Sequence, residues 1–498
     1  MSVKQTSVKE FEQKMGEIRL RIKENVTPFR DDTKEKQEAR KARARVDKLY
    51  FAKTYFPHYI ESRFSPIHKL LFKLTEIMGT PVVLAMFRGA GKSVLITLID
   101  KIHKIVFEER WFIIIMSETE GSAMEHTGSM REELEHNKRL LHDFGQMKKL
   151  GSWEGNDFTT ANGRRVLALG RTQTPRDKRN GPHRPDDFTF DGYENPFTSY
   201  NPVMVKKGFR RVKEDALGSV DIKRFSFMYL GNYFSKTSVI HECMEMEGWI
   251  PHIIPAEENG KSTWPARFSL KILRHLKKIM GSVSYDIEML QIPRDDIDQT
   301  FRDEWFKRCV YAIEDLAEKQ LQKVIFLDPA IGMKEKHSFK AMIAIGREKT
   351  GRVEEPFIYY VLKAWIRKKV SLMGMGRAAY EMDGEIKPRA FGIEKVAFQA
   401  ALKPLFNTLQ TEFNRHLPIR MIAPPKGLTK EDRIARRSPM IENGTIRFLP
   451  GDSDQDELIR QYKHFDNKSV ALDGPDAADG AISMLEGPKK KNIRVLGV

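Results

Sequence analysis

The sequence predicts an α/β protein of two domains. Its 498 residues exceed what one ordinary core accommodates, and a hydrophobic content of 40% suffices for two. Strand-like and helix-like runs alternate from Leu49 to about residue 250, and the same alternation restarts near residue 320. Alternation of this kind points to a mostly parallel sheet covered on both faces.

Residues 1–48 are charge-rich and end in KEKQEARKARARVDK, which predicts a basic, solvated helix or arm that builds no core. From Leu49 the chain turns apolar and aromatic in LYFAKTYFPHYI and SPIHKLLFKLTEIM. PVVLAMF then reads as a buried strand running into a glycine-bearing loop and the apolar helix SVLITLIDKIHKIVF. WFIIIMS, RRVLALG, DFTFD and RFSFMYLGN are further strands, with the helical AMEHTGSMREELEHNKRLL between the first two. These elements define a first domain over 49–315, whose part from about 250 to 315 carries no motif and reads as a linker subdomain. The polar EDLAEKQLQ marks the boundary. KVIFLD, AMIAIG, FIYYVLKAW, RAFGIE and LPIRMIA are the strands of a second domain over 316–486, and GPKKKNIRVLGV is a basic tail from about 487 to 498.

The formal net charge of +17 favours a polyanionic partner, since Lys and Arg gain affinity by releasing counterions from nucleic acid. Two distant cysteines, Cys243 and Cys309, exclude a disulfide scaffold or a cysteine zinc site and suit a reducing compartment. No apolar run reaches the length of a membrane span, and charges stand where a signal peptide needs its apolar stretch, so a soluble, unexported protein is expected.

Two groups of residues carry chemistry. In FRGAGKS, Gly89 and Gly91 let the backbone amides turn toward phosphate oxygens at a helix start, Lys92 suits the β and γ phosphates, and Ser93 suits magnesium. The first glycine of the usual pattern is replaced by Met86. RPDDFTFDGYEN supplies Asp191 at a strand end for the magnesium shell and Glu194 just beyond it to orient the attacking water. Asn232, after the strand RFSFMYLG, is placed to sense the γ-phosphate side, and the basic loop GRTQTPRDKRNGPHRPD offers candidate arginines for a neighbouring subunit. The second group is acidic: Asp328 in VIFLDPAIG, Glu394 in AFGIEKVAFQ, and Asp473 with Asp476 in ALDGPDAADGAISML. Such carboxylates, if they converge, suit hard cations such as Mg²⁺ or Mn²⁺, two of which can support phosphodiester hydrolysis.

Taken in order, FRGAGKS, RPDDFTFDGYEN, YLGN, FLDPAIG, GIEKVAFQ, KEDRIARRSPMIENGTIRF and DGPDAADG resemble the large terminase subunit of tailed bacteriophages, from about Leu49 to Leu485. The resemblance implies a RecA-like P-loop ATPase domain that drives double-stranded DNA through the portal into the procapsid, followed by a ribonuclease-H-like mixed-sheet nuclease that cuts the concatemer. It implies Arg88, Gly89, Gly91, Lys92, Ser93, Asp191 and Asn232 as the ATP and magnesium site, with Glu194 as the catalytic carboxylate. Arg176 or Arg179 would act in trans. Asp328, Glu394 and Asp476 would form the nuclease triad, aided by Asp473, with two Mg²⁺ or Mn²⁺ ions. The implied partners are the viral concatemer, the portal protein, a small terminase subunit and further copies of the chain in a pentameric ring, with no membrane partner. The implied location is the host cytoplasm, with transient docking on the procapsid and absence from the mature virion. Three positions depart from the resemblance or mark its variant: Met86 in the loop, Gly192 where many relatives carry a second acid, and Phe339 where relatives often carry an aspartate.

A helicase or repair ATPase, an integrase-like recombinase and a non-catalytic capsid or portal adaptor are the competing readings. The first needs a second set of ATPase motifs, which the C-terminal half lacks, the second has no use for a P-loop, and the third needs neither centre.

Overall fold

A computed structural model describes residues 3–30, 32–153, 155–293, 299–329, 339–353, 355–394, 402–423, 427–466 and 470–487, with side chains from residue 10 onward. The chain divides into two compact units, the first comprising Met1–Lys277 and Val283–Asp296, the second Lys278–Ser282 and Ile297–Val498. Both are α/β, and each has its own sheet.

The first unit holds β1 (Pro81–Met86), β2 (Phe112–Ser117), β3 (Asp157–Thr159), β4 (Arg165–Gly170), β5 (Asp187–Asp191), β6 (Ser226–Gly231) and β7 (Ile250–Ile254), in the spatial order β3-β4-β2-β5-β6-β1-β7. All neighbours are parallel except β3 with β4. β1, β2 and β5 are buried along their whole length; β1 and β2 accordingly read as nearly unbroken apolar runs, whereas β5 alternates Asp187, Thr189 and Asp191 with Phe188 and Phe190. β7 escapes a reading by sequence pattern because Pro251 interrupts it; as an edge strand it needs only one row of hydrogen bonds, so the proline is tolerated. A short hairpin of β8 (Glu257–Glu258) and β9 (Lys261–Ser262) follows.

β6 separates β1 from β5, so the ends of β1, β6 and β5 stand side by side at one edge of the sheet. Phe188, Phe190, Phe227 and Tyr229 pack into the core on one face. Strand alternation therefore sends the side chains of Asp191 and Asn232 to the opposite face, where the helix after β1 lies. That helix runs over Ser93–Asp100 and Lys101–Val106, the first part wound as a π-helix. It is riveted to β5 by a buried ion network. Lys101 and Lys104 hold Asp187 at 2.6 and 2.7 Å, and Lys104 and Lys48 hold Asp100 at 2.9 and 2.8 Å. Losing one partner would leave a buried charge uncompensated, which makes this network a strong constraint on register.

The N-terminal segment corrects the expectation of a solvated arm. The helix Val3–Asn25 buries Met15 and Ile22, and Val26 just beyond it is buried too. Met15 and Phe11 sit over Gly128 of the helix Glu120–His136, where an added Cβ would come within 2.6 Å of the Met15 sulfur. Arg40 of the helix Lys34–Val46 pairs with Asp32 and Asp143 at 2.7 and 2.6 Å. Few apolar residues are needed when a glycine permits close approach.

The second unit contains β10 (Gln322–Asp328), β11 (Lys340–Lys349), β12 (Phe357–Arg367), β13 (Ala390–Glu394), β14 (Ile419–Ile422) and β15 (Ile446–Arg447), ordered β14-β13-β10-β11-β12-β15. β11 is antiparallel to β10 and β12, and the remaining pairs are parallel, so the sheet is mixed. The helix Asp473–Glu486 packs against β10 and β11, with Gly480 lying over the ring of Phe326. The unit begins earlier than residue 316. Phe301 and Phe306 pack on Tyr462 and Phe448, and Tyr311 meets Tyr360 edge-on, so burial of these rings draws 299–315 into the second core. The basic tail from 488 lies outside the described residues.

Candidate phosphate-chemistry sites

The loop between β1 and its helix turns at Gly89 and Gly91, whose φ values of 83° and 85° suit glycine; a Cβ on Gly89 would also press on Phe268 at 3.1 Å. Lys92 folds back over the loop: its ammonium donates to the Met86 carbonyl and to Asn232 Oδ1 at 3.0 Å. Burial above all lowers its pKa, to about 8, with Asp191 and Glu288 pulling upward. Asn232 thus joins the loop lysine, as its position at the end of the intervening strand requires. Its amide also donates to Glu288 Oε2 at 2.6 Å.

Asp191 is buried at the end of β5 and accepts from Thr97 Oγ1 at 2.6 Å, with His126 Nε2 at 3.8 Å. Thr97 lies four residues beyond Ser93, so the aspartate is tied to the helix about one turn past the serine that opens it. Arg88 is exposed, its guanidinium 3.7 Å from Glu288. Arg176 and Arg179 lie in the exposed loop after β4, where Arg176 pairs with Asp215 at 2.5 Å.

Glu194 is occupied by the protein itself. Its oxygens accept from the backbone amides of Val239 and Ile240 at 2.8 and 3.0 Å and from the Tyr229 hydroxyl at 2.9 Å. Burial raises its pKa, opposed by those hydrogen bonds. The position after Asp191 is Gly192, where an added Cβ would meet nothing within 4 Å. Beside it stands Glu118 at the end of β2, its amide donating to the Gly192 carbonyl at 3.0 Å and its carboxylate held by the Asn195 amide. Sequence reasoning missed both Glu118 and Glu288. Glu118 had a signal, an acid directly after an apolar strand; Glu288 had none.

In the second unit Asp328 ends β10, Glu394 ends β13, and Asp473 and Asp476 open the helix Asp473–Glu486. Asp328, Glu394 and Asp476 line one small cleft, so these three strand and helix ends do converge. Among the carboxylates stands Lys430, another residue that sequence reasoning did not single out. It lies 2.6 Å from Asp473, 3.4 Å from Asp328 and 3.6 Å from Asp476. Burial opposes its charge, but the three acids outweigh burial and raise its pKa. Asp476 is pushed up to about 6, chiefly by burial, with Lys430 pulling the other way. Asp473 also accepts from the backbone amide of Phe339 at 2.7 Å, so the residue lacking the expected acid still anchors its neighbour.

Asp328, Glu394, Asp473 and Asp476 offer an all-oxygen donor set that fits a hard divalent cation, and the Lys430 ammonium brings a single positive charge to three of them. Among the described residues, the group whose ligand atoms all lie within 4.8 Å of one another is instead Asp32, His142 and Asp143. There Arg40 already supplies the positive charge.

No protein-family model and no curated protein matches the chain. Among solved structures it is similar to the large terminase of a thermophilic bacteriophage in complex with ADP, at 12% identity and a TM-score of 0.44, over 85% of this chain and 100% of that one. It is also similar to the large terminase of bacteriophage HK97, at 11% identity and a TM-score of 0.35, over 88% and 99%. The manganese-soaked human cytomegalovirus terminase nuclease domain matches at 12% identity and 0.29, over 36% and 93%. At scores this low the likeness carries no functional argument, which falls instead to the chain's own residues.

Proposed function

We propose that the chain is a large terminase subunit, an ATP-driven motor for double-stranded DNA that carries its own metal-dependent endonuclease. The observation that carries this reading is the presence of two separate centres for phosphate chemistry, one in each unit of a chain with a net charge of +17. In the first, Gly89 and Gly91 open the loop amides to the nucleotide phosphates, Lys92 neutralises them, and Ser93 and Asp191 hold magnesium. Asn232 links the phosphate side of the site to β6. Glu194 or Glu118 orients water, and Arg176 or Arg179 reaches the site of a neighbouring copy in a ring on the portal.

In the second centre Asp328, Glu394 and Asp476, with Asp473 beside them, would hold Mg²⁺ or Mn²⁺. Bound there, such ions supply Lewis acidity and an activated water for phosphodiester hydrolysis. The chain's own contribution is to fix four carboxylates and to offset part of their mutual repulsion with Lys430, which reaches Asp328, Asp473 and Asp476. Portal, small subunit and concatemeric DNA complete the assembly in the host cytoplasm.

The test pairs DNA-stimulated ATP hydrolysis of wild type and Lys92→Ala with Mn²⁺-dependent plasmid cutting by wild type and Asp328→Ala. Loss of each activity in its own variant is expected. Plasmid nicking that survives loss of Asp328, Glu394 and Asp476 singly refutes the nuclease assignment.

A further inference from the structure

The segment 288–291 crosses the mouth of the P-loop. The helix Ser282–Glu288 ends there, and the Glu288 carbonyl accepts the backbone N–H of Arg88 at 2.9 Å. The Glu288 carboxylate accepts from the Asn232 amide at 2.6 Å and faces the Arg88 guanidinium at 3.7 Å. Asn232 in turn accepts from Lys92 at 3.0 Å. Three residues on, Gln291 is buried in the left-handed region at φ 58°, and its side chain takes the backbone N–H of Tyr233 at 3.1 Å while donating back to the Glu288 carbonyl at 3.1 Å. The Met289 carbonyl accepts from Ala256 N at 2.7 Å. The strap is therefore fastened to the P-loop, to the end of β6 and to the chain beyond β7.

A carboxylate resembles one face of a phosphate in charge and in its paired oxygens, and arginine and amide donors serve either one. Arg88 and Asn232 can satisfy Glu288 or the outermost phosphate of a nucleotide held on Lys92, and the two anions would repel if both were present. Resting on the nucleotide reading above, we propose that Glu288 competes with the terminal phosphate of a nucleoside triphosphate for Arg88 and Asn232. Glu288 is then a positioning residue: binding of the triphosphate ejects it, and the strap it anchors reports which nucleotide is bound. A diphosphate, lacking the terminal group, leaves Glu288 in place.

The experiment measures affinity rather than turnover. Full-length wild type, Glu288→Gln and Lys92→Ala are titrated by calorimetry with Mg²⁺ and either a non-hydrolysable ATP analogue or ADP. Glu288→Gln is expected to bind the triphosphate about fivefold or more tightly than wild type, with a smaller gain for ADP. Unchanged or weaker triphosphate binding, or an equal gain for both nucleotides, overturns the proposal. If wild type binds no nucleotide, or binds as Lys92→Ala does, the nucleotide reading itself fails, and the inference falls with it. Gln291→Ala, which unfastens the strap while keeping the carboxylate, is expected to shift affinity in the same direction; a shift the opposite way counts against the proposal.

Discussion

Glu194 and Glu118 stand near the ends of neighbouring strands and do different work. Glu194 has its carboxylate spent on two backbone amides and a tyrosine hydroxyl, so it caps the start of the helix Val239–Met244. Replacing it by Gln turns an amide donor toward groups that are themselves donors. The expected result for Glu194→Gln is a loss of about 1–3 kcal/mol of stability, read as a lower unfolding midpoint. Glu118→Gln is expected to leave that midpoint and nucleotide affinity intact while cutting ATP turnover about a hundredfold, the scale of lost general-base assistance. A stable Glu194→Gln protein with no turnover reverses the assignment. Lys92 provides a second residue-level prediction. Its free pKa is lowered to about 8, and only the charged ammonium attracts phosphate. Nucleotide affinity should hold below that pH and fall as pH rises through 8, because binding must then recapture a proton. Lys92→Arg should flatten the profile in a fluorescent-nucleotide titration run from about pH 7 to pH 9, since a guanidinium does not titrate there.

Two facing helices show how an element is locked by charge. The helix Lys430–Ala435 and the residues following it place Lys430, Arg433, Arg436 and Arg437 at helical spacing. The helix Asp473–Glu486 answers with Asp473, Asp476, Asp479 and Glu486. Arg433 meets Asp476 at 2.9 Å, and Arg436 and Arg437 meet Asp479 at 2.7 and 2.6 Å. The Arg437–Asp479 pair is buried, with side-chain exposures of 5% and 4%. Arg437→Ala is expected to cost about 3 kcal/mol, since Asp479 would lose one of its arginines and Glu486 its ion-pair partner. A denaturant titration that leaves the second unit's midpoint unmoved shows the ladder to be dispensable. This ladder was half legible in sequence, because KEDRIARR and DGPDAADG each display their spacing, but nothing local says that they face each other. The glycine loop between β1 and its helix was legible because strand, glycines, lysine and helix are contiguous. Glu288 and Lys430 were not, since each is an ordinary polar residue of a short helix, brought to its site only by the tertiary fold.

At the scale of the molecule, the two-unit α/β organisation was readable from alternating apolar runs, whereas the boundary was not. Phe301, Trp305, Phe306 and Tyr311 sit in a stretch without periodicity, and only their burial assigns them to the second unit. The same separation predicts how the two activities respond to mutation. Every residue proposed for the nucleotide site belongs to the first unit, and the four carboxylates proposed for the nuclease site, with Lys430, belong to the second. Each site is also held by its own network, the Asp100–Lys101–Lys104–Asp187 cluster in one and the acid–base ladder in the other. Substitutions at sites that share no partner usually act independently, within about 0.5 kcal/mol of additivity. Lys92→Ala should therefore abolish ATP turnover and leave Mn²⁺-dependent nicking of relaxed plasmid within about twofold of wild type. Asp328→Asn should do the converse, and the double variant should lose both with no deeper fall in unfolding midpoint than the two single shifts combined. Measuring both activities in all four proteins at one salt concentration is decisive, because DNA binding by so basic a chain varies steeply with salt. Loss of nicking in Lys92→Ala would show that the cleft in the second unit depends on the state of the P-loop, and that the two centres act as one machine even without nucleotide.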